Sequence, residues 1–139
     1  MNPRSRRTRA RNALAVVALL VATGCTAEEQ LFMTALVRYN ESKLEARLAS
    51  VQGSLSDEQL ARLARCESGG NPRIVSKSGK YHGLYQFDQR TWNGVASRIA
   101  PEYVGIRPSA APPEVQHAMA RGLYSQRGRS PWPVCGRRM

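Results

Sequence analysis

Two cysteines, Cys66 and Cys135, constrain what this chain can fold into more than any other feature. Joined, they would close a loop of about 70 residues, and the loop-entropy model credits such a closure with roughly 4 kcal/mol. For a small domain that is most of the net stability, and the bridge would also fix which segments meet. Cysteines pair in oxidising compartments and stay reduced in the cytosol. Whether these two pair, or remain two buried thiols, therefore turns on where the chain resides.

The N-terminal segment bears on that question. Residues 1–11 hold five arginines and no acid, and ten apolar residues follow from Ala13 to Ala22. A basic stretch before a short apolar run is the layout of a secretory signal, whereas a spanning helix needs about 20 apolar residues. The run ends in Val21-Ala22-Thr23-Gly24-Cys25, similar to a bacterial lipobox except that Ala22 stands where Leu is usual. Lipidation of Cys25 and ordinary cleavage nearby both fit this ending, and both export the chain. Arg6-Arg7 lacks the apolar residues that follow a twin-arginine pair. The expectation is a signal peptide over residues 1–25, a Cys66–Cys135 disulfide, and an exported chain that is either secreted or lipid-anchored through Cys25 at the outer face of the membrane.

Without the five signal arginines the chain carries 16 basic and 10 acidic residues, a net +6 in place of +11. For an exported protein, anionic wall polymer and phospholipid headgroups are the nearest opposite charges. The cations are scattered and not interleaved with aromatic residues, so no nucleic-acid partner is expected.

Residues 27–52 space Leu31, Phe32, Ala35, Leu36, Tyr39, Leu44 and Leu48 in approximately helical fashion. This segment is either a stalk or an extra helix on the core, and Gln52-Gly53-Ser54 marks its end. Residues 26–55 are thus assigned to a stalk or linker and residues 56–139 to a folded domain. That domain opens with a capping box, Ser56 followed by Asp57, Glu58 and Gln59, and a buried stripe of Leu60, Leu63 and Ala64. From Ile74 to Phe87 short strands are expected around the polar turn 76–80. A second helix should start near Asp88 and bury Trp92, Val95, Ala96 and Ile99, with Pro101 ending it. A third should carry Pro113 in its first turn and bury Val115, Ala118, Met119 and Leu123.

One residue does not suit its place. Glu67 falls at the last turn of the first domain helix, in line with the buried stripe and just before the stop signal Gly69-Gly70. The negative end of the helix dipole and burial both disfavour a charged carboxylate there, so both raise its pKa. Such a position is costly unless a proton-holding acid is wanted. The plainer alternative is an ion pair with Arg62 or Arg65.

Three ordered blocks decide what the acid is for: Cys66-Glu67-Ser68-Gly69-Gly70-Asn71, then Tyr81-His82-Gly83-Leu84-Tyr85-Gln86-Phe87-Asp88-Gln89-Arg90-Thr91-Trp92, then Trp132-Pro133-Val134-Cys135-Gly136. In order and spacing they resemble the transglycosylase-like domain of resuscitation-promoting factors, exported lysozyme-fold enzymes that cut peptidoglycan glycan strands. The likeness covers about residues 56–136, and Glu67 through Pro72 is equally similar to soluble lytic transglycosylases on the same fold. The resemblance implies an α+β, mainly α, lysozyme-like domain with a short β region and one disulfide, Cys66–Cys135. It implies Glu67 as catalytic acid and Asp88 and Thr91 in a substrate cleft, with peptidoglycan glycan strands as the partner and a cell-wall endopeptidase as a compatible second one. It calls for no cofactor and no metal. The chain departs from the pattern at Leu60 and Pro72, at Leu84-Tyr85, at Arg127, and in having one tryptophan before Cys135, positions that bear on sugar stacking and subsite preference.

Glycoside cleavage needs a proton on the leaving oxygen and stabilisation of an oxocarbenium-like centre. Glu67 can supply the first. Asp88 is the one other acid between Glu67 and Glu102, and capping the Trp92 helix suits it as well as catalysis does. Without a second acid, the substrate's own N-acetyl group could stabilise the centre and yield an anhydro-sugar; with one, water could attack. Thr91 either supports the helix start or lines the cleft. Tyr81 is expected at the cleft, Trp132 in packing beside the disulfide, and Gln86 in a buried hydrogen bond or a substrate contact. His82 and His117 lack ligand spacing and suit hydrogen bonding at the surface or cleft. The expected function is cleavage of the β-1,4 bond between N-acetylmuramic acid and N-acetylglucosamine. The rival is a non-catalytic wall-binding or signalling module on the same fold.

Overall fold

The computed structural model describes residues 26–139; the expected signal segment and Cys25 lie outside them. Two compact units divide the chain, one ending at Lys43 and the other running from Leu44 to Met139. The division falls upstream of Gln52, where the sequence suggests a boundary. Helix α1 covers Ala27–Ser50. Its start is closed by a reciprocal cap, in which the Thr26 N–H donates to Glu29 Oε2 at 2.8 Å and the Glu29 N–H to Thr26 Oγ1 at 3.3 Å. Leu31 and Phe32 are largely exposed, while Leu44 and Leu48 are partly buried against the core of the second unit. None of the described helices is long and apolar enough to cross a membrane.

Three helices build that core: α2 (Asp57–Ser68), α3 (Gln89–Ile99) and α4 (Pro113–Arg127). Each start has a local cause. Ser56 accepts from the Gln59 N–H while the Gln59 side chain accepts from the Ser56 N–H, Asp88 accepts from the Thr91 N–H, and Pro113 occupies the first turn of α4. The expected stripes are the buried ones: Leu60, Leu63 and Ala64; Trp92, Val95, Ala96 and Ile99; Val115, Ala118, Met119 and Leu123. Burial of a large apolar side chain is worth about 1.5–3 kcal/mol, so these three faces drive the assembly. Helices α3 and α4 close tightly at Gly122, where a Cβ would sit 2.0 Å from Ile99 Cδ1.

The disulfide joins the last turn of α2 to a 3-10 turn at Cys135–Arg138, with Cys66 and Cys135 Cα atoms 5.6 Å apart. Beside it Trp132 is buried and donates Nε1–H to the Tyr85 carbonyl at 3.0 Å. The fold is mainly helical with one disulfide.

The strands expected between Ile74 and Phe87 shrink to two isolated antiparallel bridges, Val75 with His82 and His82 with Phe87. The backbone explains why. A tight turn at Ser76–Tyr81 is pinned by the Gly79 N–H on the Ser76 carbonyl and the Ser76 N–H on the Tyr81 carbonyl. Gly83 and Gln86 then take φ of 76° and 49°, far from extended geometry. Single residues remain between the turns, too few for a ladder.

Candidate active site

Glu67 sits on the same side of α2 as Leu60, Leu63 and Ala64, and its side chain is half-buried. The helix stops directly after it. Gly69 and Gly70 adopt φ of 63° and 82°, so their N–H groups turn back onto the Arg65 and Ala64 carbonyls at 3.1 and 3.2 Å. Ser68 is buried and donates its hydroxyl to the Ala64 carbonyl at 2.8 Å. These bonds fix the backbone on both sides of Glu67 while leaving its carboxyl untouched. Among the described residues no hydrogen bond or ion pair engages that carboxyl, so pairing with Arg62 or Arg65 does not occur. Burial alone pushes its pKa above the ordinary carboxylate value.

Asp88 is the opposite case. Burial pushes its carboxyl up, but the N–H and hydroxyl of Thr91, the N–H of Arg90 and the charge of Lys80 prevail and hold it below the ordinary range. Thr91 donates its N–H to one Asp88 oxygen at 2.9 Å and its hydroxyl to the other at 2.8 Å. The structure thus brings Asp88 and Thr91 into direct contact at the start of α3.

Tyr81 and Gln86 lie on the segment that leads into this cap. Tyr81 is 39% exposed, with Lys80 Nζ 5.2 Å from its ring centroid. Lys80 therefore stands beside both Tyr81 and Asp88. Gln86 is half-buried, and its Nε2 donates to the Gly83 carbonyl at 3.0 Å, so its amide is engaged within its own turn.

Of the two histidines, His82 departs from the expected surface or cleft position, while His117 is half-buried. His82 is buried, with Nδ1 3.5 Å from Ser109 Oγ. His117 shares a 2.5 Å hydrogen bond with the Tyr85 hydroxyl. Burial, and then the charge of Arg121, lowers the His117 pKa and favours the neutral ring. Among the described residues no group of His, Cys, Asp and Glu could hold a metal ion.

The family model for the transglycosylase-like domain matches residues 55–135, from the start of α2 to the second cysteine of the disulfide. The chain belongs to the transglycosylase-like domain family. Within this domain the chain is 41% identical over 76 residues to "Probable transglycosylase SceD" of Staphylococcus haemolyticus, which covers 55% of the chain and 31% of that relative. It is 42% identical over 76 residues to "Probable transglycosylase SceD 3" of Staphylococcus saprophyticus, with the same two coverages. The form from Staphylococcus aureus strain bovine RF122 is 40% identical over 76 residues, 55% of the chain and 32% of the relative. The matched region spans about a third of the length of these relatives. No solved structure gives a significant match.

The transglycosylase-like domain also depends on two buried side chains that the sequence reading passed over. Gln116 is 1% exposed and accepts the Leu84 N–H at 2.8 Å. Its Nε2 donates to the Pro72 and Ala111 carbonyls at 3.1 and 2.8 Å. One amide on α4 thereby ties down the loop after Glu67, the loop before Gln86 and the entry to α4. Gly83 leaves room for it, since a Cβ there would sit 2.3 Å from Gln116 Oε1. Arg121, also buried, donates Nε–H to the Leu55 carbonyl at 3.0 Å and pairs with Asp57. The available signal for Gln116 was its alignment with Met119 and Leu123 on the apolar face of α4.

Proposed function

We propose that the chain is an exported muralytic enzyme that cleaves the β-1,4 bond between N-acetylmuramic acid and N-acetylglucosamine in peptidoglycan glycan strands, with Glu67 as general acid. The Glu67 carboxyl carries this reading: half-buried, unpaired and shifted upward by burial alone, in a chain of the transglycosylase-like domain family. A raised pKa keeps a larger protonated fraction near neutral pH, which is what an acid catalyst needs.

In the proposed step the Glu67 proton passes to the glycosidic oxygen as its bond to the anomeric carbon breaks. Both Asp88 oxygens are occupied by Thr91 at the start of α3, which supports a single-acid mechanism. The N-acetyl group of the substrate then stabilises the cationic centre. A hydroxyl of the same sugar closes on that carbon and returns its proton to Glu67, giving an anhydro-sugar. Tyr81, Gln86, Asp88 and Thr91 are proposed as glycan contacts, with the exposed Tyr81 ring as a stacking face. Residues 1–25 would direct export and residues 26–55 would space the domain from an anchor at Cys25.

The test is to incubate the purified full chain with peptidoglycan sacculi and identify released fragments by mass spectrometry. Anhydro-ended disaccharide units, lighter than reducing-end products by one water, are expected. Reducing ends alone would replace the intramolecular step with water attack. Binding to sacculi with no release of fragments would overturn the enzymatic reading in favour of a wall-binding module.

A further inference from the structure

From Val115 to Met139 the chain holds five arginines and no acid. Arg121 is buried and paired with Asp57; Arg127, Arg129, Arg137 and Arg138 are exposed. The fold gathers three of these around the disulfide. Arg137 and Arg138 belong to the 3-10 turn that begins at Cys135, and Arg138 Nη1 lies 3.9 Å from Cys66 Sγ. Gly136 lets Arg129 close in, since a Cβ at 136 would sit 3.0 Å from the Arg129 carbonyl oxygen. From the α2 side Arg65, also exposed, directly precedes Cys66. Arg138 thus sets its guanidinium against the bridge, and Arg65, Arg129 and Arg137, all exposed, have their backbones beside it; among the described residues none of the four is in a salt bridge.

Like charges gathered without counter-charges repel one another, and neither packing nor the proposed acid chemistry calls for them. We propose that this arginine face binds a phosphodiester polymer of the cell wall. Guanidinium forks suit phosphate oxygens, and cations spread over three stretches suit a ligand with charges repeated along its length. A membrane is the poorer fit. Trp132, the one tryptophan nearby, is buried with its N–H engaged, which leaves Val134, 64% exposed, as the apolar side chain beside the arginines. A nucleic acid is poorer as well, because no exposed aromatic side chain stands among them to stack on bases.

The test measures binding of the full chain to purified poly(glycerol phosphate) across a salt series, with anionic phospholipid vesicles and single-stranded DNA as parallel arms. The R129Q/R137Q/R138Q variant is compared with R73Q/R98Q/R107Q, which loses the same charge elsewhere on the exposed surface. The face variant is expected to bind at least about tenfold more weakly, with a salt slope shallower by about two. The control should stay within about threefold of wild type. Glu67→Gln should bind the polymer as wild type does, so failure of the glycan-cleavage reading leaves this result intact. Equal losses in both triple variants, a flat salt slope for wild type, or tighter binding to vesicles or DNA than to the polymer would each overturn the proposal.

Discussion

Two carboxylates at opposite helix ends have been treated in opposite ways. Asp88 stands at the start of α3, where free N–H groups and the positive end of the dipole welcome a negative charge, and it receives two bonds from Thr91. Glu67 stands in the last turn of α2, half-buried and unpaired. The consequence is a split in acidity, with Asp88 held down and Glu67 pushed up. One carboxylate spends its charge on the fold, while burial disfavours the charge of the other.

The largest expected effect comes from removing the proposed acid. Glu67→Gln should lower fragment release from sacculi by about 1,000-fold, the contribution typical of a placed general acid. The same variant should not be destabilised. A carboxyl with a folded pKa above its unfolded value binds more protons when folded, so stability falls as pH rises from the unfolded value through the raised pKa and stays lower above it. The amide carries no such cost. Thermal unfolding near pH 7 should therefore place the variant at or above wild type, and the difference should vanish below the ordinary value of 4.5. Activity should fall on the alkaline side as Glu67 loses its proton. A variant that is both active and less stable at neutral pH would erase the contrast with Asp88.

Two structural changes sharpen the comparison by loosening what lies between the acids. The bridge from Cys66 to Cys135 spans a sequence separation of 69, and replacing both cysteines with serine should cost about 4 kcal/mol in urea unfolding. Gln116→Leu should cost about 3 kcal/mol, because the Leu84 N–H and the Pro72 and Ala111 carbonyls lose their partner in a dry interior. The two losses differ in kind. The disulfide acts largely through the unfolded chain, whereas Gln116 orders the loops that follow Glu67 and precede Gln86. Among molecules still folded, Gln116→Leu should therefore raise the sacculus concentration needed for half-maximal release, and Gln116→Glu, which keeps the acceptor, should recover part of it.

What the sequence discloses depends on how far apart the partners are. The Ser56 and Asp88 caps, the Gly69 stop and the three buried stripes are legible because each arises from residues a few positions apart. Glu67 is legible for the same reason, since its stripe position and the following glycines predict burial without knowledge of the rest of the fold. The segment from Ile74 to Phe87 misleads. Its aromatic and aliphatic residues suggest strands, but the positive φ at Gly83 and Gln86 breaks any ladder, and a non-glycine residue at φ 49° carries little sequence signature. Gln116 shows the limit most clearly. Its bonds reach Leu84 across 32 positions and Pro72 across 44, and no local pattern can name them.

The smallest expected effect tests the other acid. Asp88→Ala removes the acceptor for the Thr91 N–H and should cost about 1 kcal/mol, the usual worth of an N-cap. Asp88→Asn keeps a side-chain oxygen there and should unfold close to wild type near pH 7. Because the folded pKa of Asp88 is depressed, its contribution is present above the unfolded value of 3.8 and is lost as pH falls through the folded pKa. The stability gap between wild type and Asp88→Ala should thus close on acidification, over a range where Glu67→Gln already matches wild type. Fragment release separates cap from catalyst. Asp88→Asn should retain activity within about tenfold, as expected for a residue that orients a helix start or a sugar and transfers no proton. A loss as deep as that of Glu67→Gln would make Asp88 a second reacting carboxylate, and the single-acid mechanism would give way to water attack between two acids.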